Sequence, residues 1–166
     1  LTDAREVLRK ENFHCLSFLG INRNVKREWR TLHRAFGGIG LFSFSVEHTI
    51  GMINMLLQHY GAGTTLARKM TASMEALQLE IGCIGSPFGE NYDELHLLAT
   101  ACWTKSLWER LHYYKFRVHL DFPPLKLPRT RDVPLVRLFR DAGYGGQLLQ
   151  DLNRCRLYLK LLFLSD

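Results

Sequence analysis

Lys26, Arg27, Arg30 and Arg34 crowd one short stretch of the chain. Cations at this spacing neutralise phosphates without reading bases, because a contact to a phosphate oxygen carries charge and no sequence information. Further along, Tyr113, Tyr114 and Phe116 stand beside Lys115 and Arg117, and Arg129 and Arg131 follow. Flat rings interleaved with cations suit stacking on bases or ribose. A helix end also needs aromatics for its core, so Tyr113 and Tyr114 have two readings. The candidate nucleic-acid contacts are Lys26, Arg27, Arg30, Arg34, Lys115, Arg117, Arg129 and Arg131, with Tyr113 and Tyr114 as stacking candidates.

A second candidate for phosphate chemistry is the string HRAFGGIGLFSF, which holds Gly37, Gly38 and Gly40. A dinucleotide loop needs a strand before it and glycine or alanine at its last motif position, whereas here Gly38, Gly40 and then Ser43 follow a helical pattern. A Walker loop needs GK[ST], which occurs nowhere in the chain. The glycines are better read as backbone devices. Gly37 or Gly38 ends a helix in the left-handed conformation, and the rest let the chain pass close to a neighbour.

Other chemistry finds no constellation. The seven histidines are scattered and no HExxH is present. Glu94 and His96 face apart on a helix, Ser43 and Ser45 lack a GxSxG context, and Cys83 has no evident base. Asp93 and Glu94 follow Asn91 at a helix start, where the macrodipole favours carboxylates. No catalytic residue, metal or cofactor is expected in this segment.

The charge is unevenly spread. Residues 23–34 hold five cations against Glu28, a balance of +4, and residues 105–140 hold nine against Glu109, Asp121 and Asp132, a balance of +6. Between them, residues 35–104 stand at −4, with Arg68 and Lys69 against six carboxylates. Two basic segments around an acidic middle suggest one electropositive surface of the kind polyanion binders carry. The alternative is a solvated helix face. Four widely spaced cysteines without a CxxC pair argue against a disulfide scaffold or zinc site, and for an intracellular, reducing location, nucleus and cytoplasm not distinguished. No apolar run approaches the ~20 residues that span a bilayer, so no membrane partner is expected. The chain starts at Leu1 and ends in RLYLKLLFLSD, so it reads as part of a longer polypeptide.

The elements that must position these residues read as helices. Thr2 or Asp3 can cap a short helix through REVLRKE. A second helix is predicted from Asn24 to Phe36, with Val25, Trp29, Leu32 and Phe36 on one stripe and the four cations on its other faces. A third begins at Ser45, with Val46, Ile50, Ile53, Leu57 and Tyr60 on one stripe and Gly61 at its end. A fourth runs from about Thr64 to Ile81 on Leu66, Met70, Met74, Leu77 and Ile81, and Gly82 stops it. A fifth, the longest, is predicted from Asn91 to about Phe116, with Leu95, Leu98, Cys102, Trp108 and Leu111 inward.

Four prolines then exclude a helix or a central strand. The expectation is an extended Pro-rich connector at about 117–132, with a short β-like stretch at Arg117–Leu120. Asp132 is predicted to cap a helix that has Pro134 in its first turn and reaches about Ala142. The last helix begins near Gln147 and is apolar on most faces by Phe163, so it should pack centrally. The predicted fold class is mainly α, an irregular multi-helix bundle in a single domain over 1–166.

WRTLHRAFGGIGLFSFSVEHTIGMINMLLQHY resembles the thumb and connector region downstream of the catalytic core in non-LTR retrotransposon reverse transcriptases. There a basic helix, a GG-[LI]-G-[LI] string and a polar-then-apolar helix follow one another, and Gly37, Gly38, Ile39, Gly40 and Leu41 sit on that string. CWTKSLWERLHYYKFRVHLDFP and LNRCRLYLKLLFLSD are similar to stretches of reverse-transcriptase-bearing elements, and together these segments cover about half of the chain. The polymerase's paired aspartates have no counterpart, since no two aspartates are adjacent.

The resemblance thus implies a non-catalytic region that grips template and primer, RNA, DNA or their hybrid. It also implies contact with the rest of a parent polypeptide that is itself an RNA-directed DNA polymerase. The alternative is a helical protein-interaction or structural module, docking through Trp103, Trp108 and the apolar end of the last helix.

Overall fold

The structure, a computed structural model, describes residues 16–22, 24–41 and 43–166. The predicted helix through REVLRKE lies outside the described residues. The protein is mainly helical, and no strand occurs among the described residues. The chain divides into two compact units, Leu1–Met52 and Ile53–Asp166.

In the first unit, the helix predicted from Asn24 to Phe36 is broken. Only α1 (Arg27–Thr31) is α-helical; Leu32 and His33 are extended, and a 3-10 turn follows at Arg34–Phe36. The glycine string is the cause. Backbone N–H groups of Ile39, Leu41 and Gly40 donate to the carbonyls of Trp29 (3.0 Å), Arg30 (2.7 Å) and Leu32 (2.9 Å). A continued helix would need those carbonyls for His33, Arg34 and Phe36, so the returning chain displaces it. Gly37 closes the 3-10 turn at φ 79°. Gly38 lies so close to α1 that an added Cβ would stand 2.5 Å from both C and Cβ of Leu32. Trp29, Leu32 and Phe36 do not form a buried stripe; all three are exposed.

The division between the units falls within α2 (Phe44–His59), which starts one residue before the predicted Ser45. Its buried line is Thr49, Met52 and Leu56, while Ile50 and Leu57 of the predicted stripe are exposed.

In the second unit α3 (Thr65–Ile81) is the central helix. The Thr64 hydroxyl accepts from Ala67 N at 3.1 Å and Gly82 ends the helix at φ 68°. Met70, Met74, Leu77 and Ile81 are buried as the spacing predicts, and Ala67 takes the place of Leu66. The predicted fifth helix is two helices. α4 (Tyr92–Leu95) passes into a 3-10 turn at His96–Leu98, and α5 (Trp103–Tyr114) starts afresh. Thr100 is the cause, since its N and Oγ1 donate to the Glu80 carboxylate at 2.8 and 2.7 Å and tie the chain to α3. α3 is therefore the longest helix among the described residues.

The core gathers Leu77, Ile81, Leu95, Leu98, Ala99, Trp108, Val136 and Leu149, from α3, α4, α5, the turn between the last two and the two helices that follow. Gln78, fully buried on α3, reaches across to the connector and donates from Nε2 to the carbonyls of Ile84, Gly85 and Pro123. Phe122 is buried there and Tyr60 donates its hydroxyl to the Asp121 carbonyl at 2.8 Å, so the connector lies along the unit's surface. It is non-helical as expected, but Arg117–Leu120 forms no β-bridge among the described residues; the isolated bridge joins Pro134 to Phe163.

α6 (Leu135–Asp141) begins after Pro134, and Asp132 does not cap it. Asp132 instead accepts from N and Oγ of Ser165, at 3.2 and 2.6 Å. α7 (Gly146–Tyr158) ends before the apolar run that was predicted to prolong it. Lys160 takes φ 59° and Leu161 N donates to Arg156 O, a Schellman closure with lysine where glycine is usual. Residues 160–166 then run as a strap along the connector. Leu135 N donates to Leu162 O and Leu164 N to Val133 O, while Phe163 is buried. The Asp166 carboxylate accepts from Leu162 N, Phe163 N and Lys126 Nζ.

Candidate nucleic-acid interface

The candidate cations fall into both units. In the first, Lys26 precedes α1 and is exposed, Arg27 opens the helix, and the Arg27 side chain lies outside the described residues. Arg30 is half-buried. Arg34 donates from Nε to Ile39 O at 3.3 Å, and its stem passes over Gly40. These residues therefore do not share the faces of one helix, and Arg34 helps to hold the glycine string against the turn.

In the second unit α5 ends at Tyr114. Lys115 takes φ 58°, its N–H donates to His112 O, and Phe116 N donates to Leu111 O at 2.9 Å. The chain turns sharply there, and the Phe116 ring comes back over Tyr114 with centroids 5.8 Å apart and planes 26° from parallel. Tyr113 meets Tyr114 edge-on at 4.9 Å and 89°. Tyr113 is 72% exposed and Phe116 40%, so two rings of this cluster face solvent. Sequence spacing alone does not show the Tyr114–Phe116 stack. It depends on the left-handed turn at Lys115, and no glycine marks that turn.

Lys115, Arg117 and Arg131 are exposed, and among the described residues no carboxylate pairs with them. Arg129 donates from Nη1 to Ser165 O at 3.3 Å. Other cations of this unit are engaged. Lys126 pairs with Asp166, Arg140 with Glu94, Arg137 with Asp141 at 3.8 Å and Arg154 with Asp151 at 3.0 Å.

Arg156 is a cation of a different kind, 2% exposed and paired with no carboxylate among the described residues. Its Nε donates to Asn153 Oδ1 at 2.8 Å, its Nη1 to Leu161 O at 3.2 Å, and its Nη2 to the carbonyls of Leu79 and Glu80. Asn153 adds a bond from Nδ2 to Glu80 O at 2.9 Å. The guanidinium thus sits on the negative end of the α3 dipole. Burial pulls its pKa down to about 10, which still leaves it charged at neutral pH.

Trp108, a docking candidate by sequence, is buried in the core and donates from Nε1 to Glu90 O at 3.2 Å. Cys83, Cys102 and Cys155 are free thiols. Burial, with the nearby Glu90 charge, pushes the Cys83 thiol up to about 12. No group of three metal-ligating side chains is assembled among the described residues, and no helix there is long and apolar enough to cross a membrane. No family model matches the chain, and no curated protein and no solved structure matches it either.

Proposed function

We propose that this chain is a nucleic-acid-binding accessory region of a reverse-transcriptase-like protein, one that grips the template and primer backbone without reading sequence and does no chemistry itself. The observation that carries the proposal is the set of exposed cations Lys115, Arg117 and Arg131, which no described carboxylate neutralises while Lys126, Arg137, Arg140 and Arg154 are ion-paired. Unpaired surface cations attract a polyanion at least cost, because no existing ion pair must be broken. Lys26, Arg27, Arg30 and Arg129 are the further phosphate contacts in this reading, and Arg34 contributes from the turn it braces. The parent polypeptide supplies the polymerase site, and the setting is an intracellular, reducing one.

The test is fluorescence anisotropy of the chain with an RNA·DNA hybrid and an unrelated duplex, titrated with salt. With about five phosphates contacted, log K falls with a slope near −4.5 against log salt, a loss of roughly two to three decades between ~50 and ~200 mM. Equal slopes for both duplexes support the reading. Failure of folded protein to bind either at low salt refutes it.

A second reading, a protein-interaction module, is favoured by Tyr158, Leu159 and Leu164, which are large, apolar and well exposed around the end of α7 and the strap. It predicts no nucleic-acid affinity.

A further inference from the structure

The end of α5 alternates rings and cations: Tyr113, Tyr114, Lys115, Phe116, Arg117. Packing between the rings fixes their orientation, with Tyr114 edge-on to Tyr113 and stacked on Phe116. The outer rings, Tyr113 and Phe116, keep 72% and 40% of their surface in solvent. Ordered, exposed aromatic rings offer a flat apolar surface whose burial is favourable and costs little further side-chain entropy.

We propose that this cluster is a stacking site for unpaired bases, so that the second unit takes single-stranded RNA or DNA in preference to duplex. The inference rests on the nucleic-acid reading above and names its ligand class. A duplex turns its base faces inward and presents only edges and phosphates, so exposed rings gain nothing from its length. An unpaired strand presents both parts of the match, with base faces for Tyr113 and Phe116 and phosphates for Lys115 and Arg117. An apolar partner helix fits poorly, because covering Lys115 and Arg117 would bury charges that have no counter-ion. An acidic peptide would satisfy the cations and leave the ring faces without a flat partner.

The test compares the affinity of the full chain for an unstructured oligo-dT of about twelve nucleotides and for a blunt duplex of the same length. The expected result is tighter binding of the single strand. Tyr113→Ala and Phe116→Ala should each weaken it about five-fold or more, with duplex affinity little changed. Tyr113→Phe keeps the ring and should keep the affinity, whereas Lys115→Gln with Arg117→Gln should weaken both ligands. Tyr113 is exposed, so its replacement tests binding without threatening the fold.

Equal affinity for the two ligands, or indifference of single-strand binding to Tyr113→Ala, overturns the inference and leaves the backbone-grip reading standing. Polyglutamate binding more tightly than oligo-dT overturns it in favour of an acidic peptide. Absence of binding to both nucleic acids defeats the backbone-grip reading itself.

Discussion

Arg156 donates from Nη2 to the carbonyl oxygen of Glu80 at 3.2 Å, across 76 residues of sequence. The contact places a buried cation on the last turn of α3 with no carboxylate among the described residues paired to it, so backbone carbonyl dipoles and the Asn153 amide oxygen stabilise the charge. Replacing it with Met keeps much of the volume but strands the carbonyls of Leu79 and Leu161 and leaves Glu80 O with Asn153 Nδ2 as its donor. Arg156→Met is expected to destabilise the second unit by about 3 kcal/mol, in the range for lost bonds to a buried charge. Urea unfolding followed by far-UV circular dichroism reads this directly; an unchanged midpoint would show that water replaces the guanidinium.

Gly38 should be intolerant of any side chain. A Cβ there would overlap the Leu32 carbonyl, and the clash is with backbone, which cannot swing aside. Gly38→Ala is expected to cost about 1–3 kcal/mol, more than Gly63→Ala, where φ is 69° but open space surrounds the position. Parallel melting curves of the two variants check the ranking.

The strap should loosen in acid. Ser165 holds the Asp132 carboxyl below its ordinary value of 3.8, and Lys126 with two backbone N–H groups does the same more strongly for Asp166. A depressed folded-state pKa means that each carboxylate contributes its stabilisation fully above 3.8 and loses it as the pH falls below that value. Stability of the wild type should therefore decline as the pH falls through this range. The double variant Asp132→Asn, Asp166→Asn should start lower and decline less. A set of urea midpoints from pH 5 to pH 2, about one unit apart, distinguishes the two slopes.

Thiol labelling should be ordered. Cys155 is exposed, while Cys83 is held as a thiol by burial and by its bond to Gly85 O at 3.3 Å. Only the thiolate reacts, so a maleimide at neutral pH should modify Cys155 well before Cys83. Peptide mass spectrometry of a time course reports the order, and early labelling at Cys83 would contradict the packing of the loop around it.

What the sequence made legible was local. The Met70, Met74, Leu77 and Ile81 repeat, a start near Thr64 and the Gly82 stop describe α3 without any knowledge of its neighbours. Two other predicted helices failed for a shared reason: a distant group claimed their backbone. The glycine string takes the carbonyls of Trp29, Arg30 and Leu32, and Glu80 takes the N–H of Thr100. Hydrophobic spacing is blind to both. The apolar run at the end of the chain misled in the same way, because Leu161 to Leu164 read as a helix face and are instead a strap along residues 132–135. At the candidate site the residue types were readable from sequence. The stack of Phe116 on Tyr114 was not, since a lysine in the left-handed conformation makes the turn that forms it.

Phe163 enters the second unit from the strap, near the far end of the sequence, and pairs through its backbone with Pro134. A ribosome delivers residues in order, so α3 and α5 emerge before the strap that carries the buried Phe163 has left the exit tunnel. Until then the place that Phe163 fills stays uncovered.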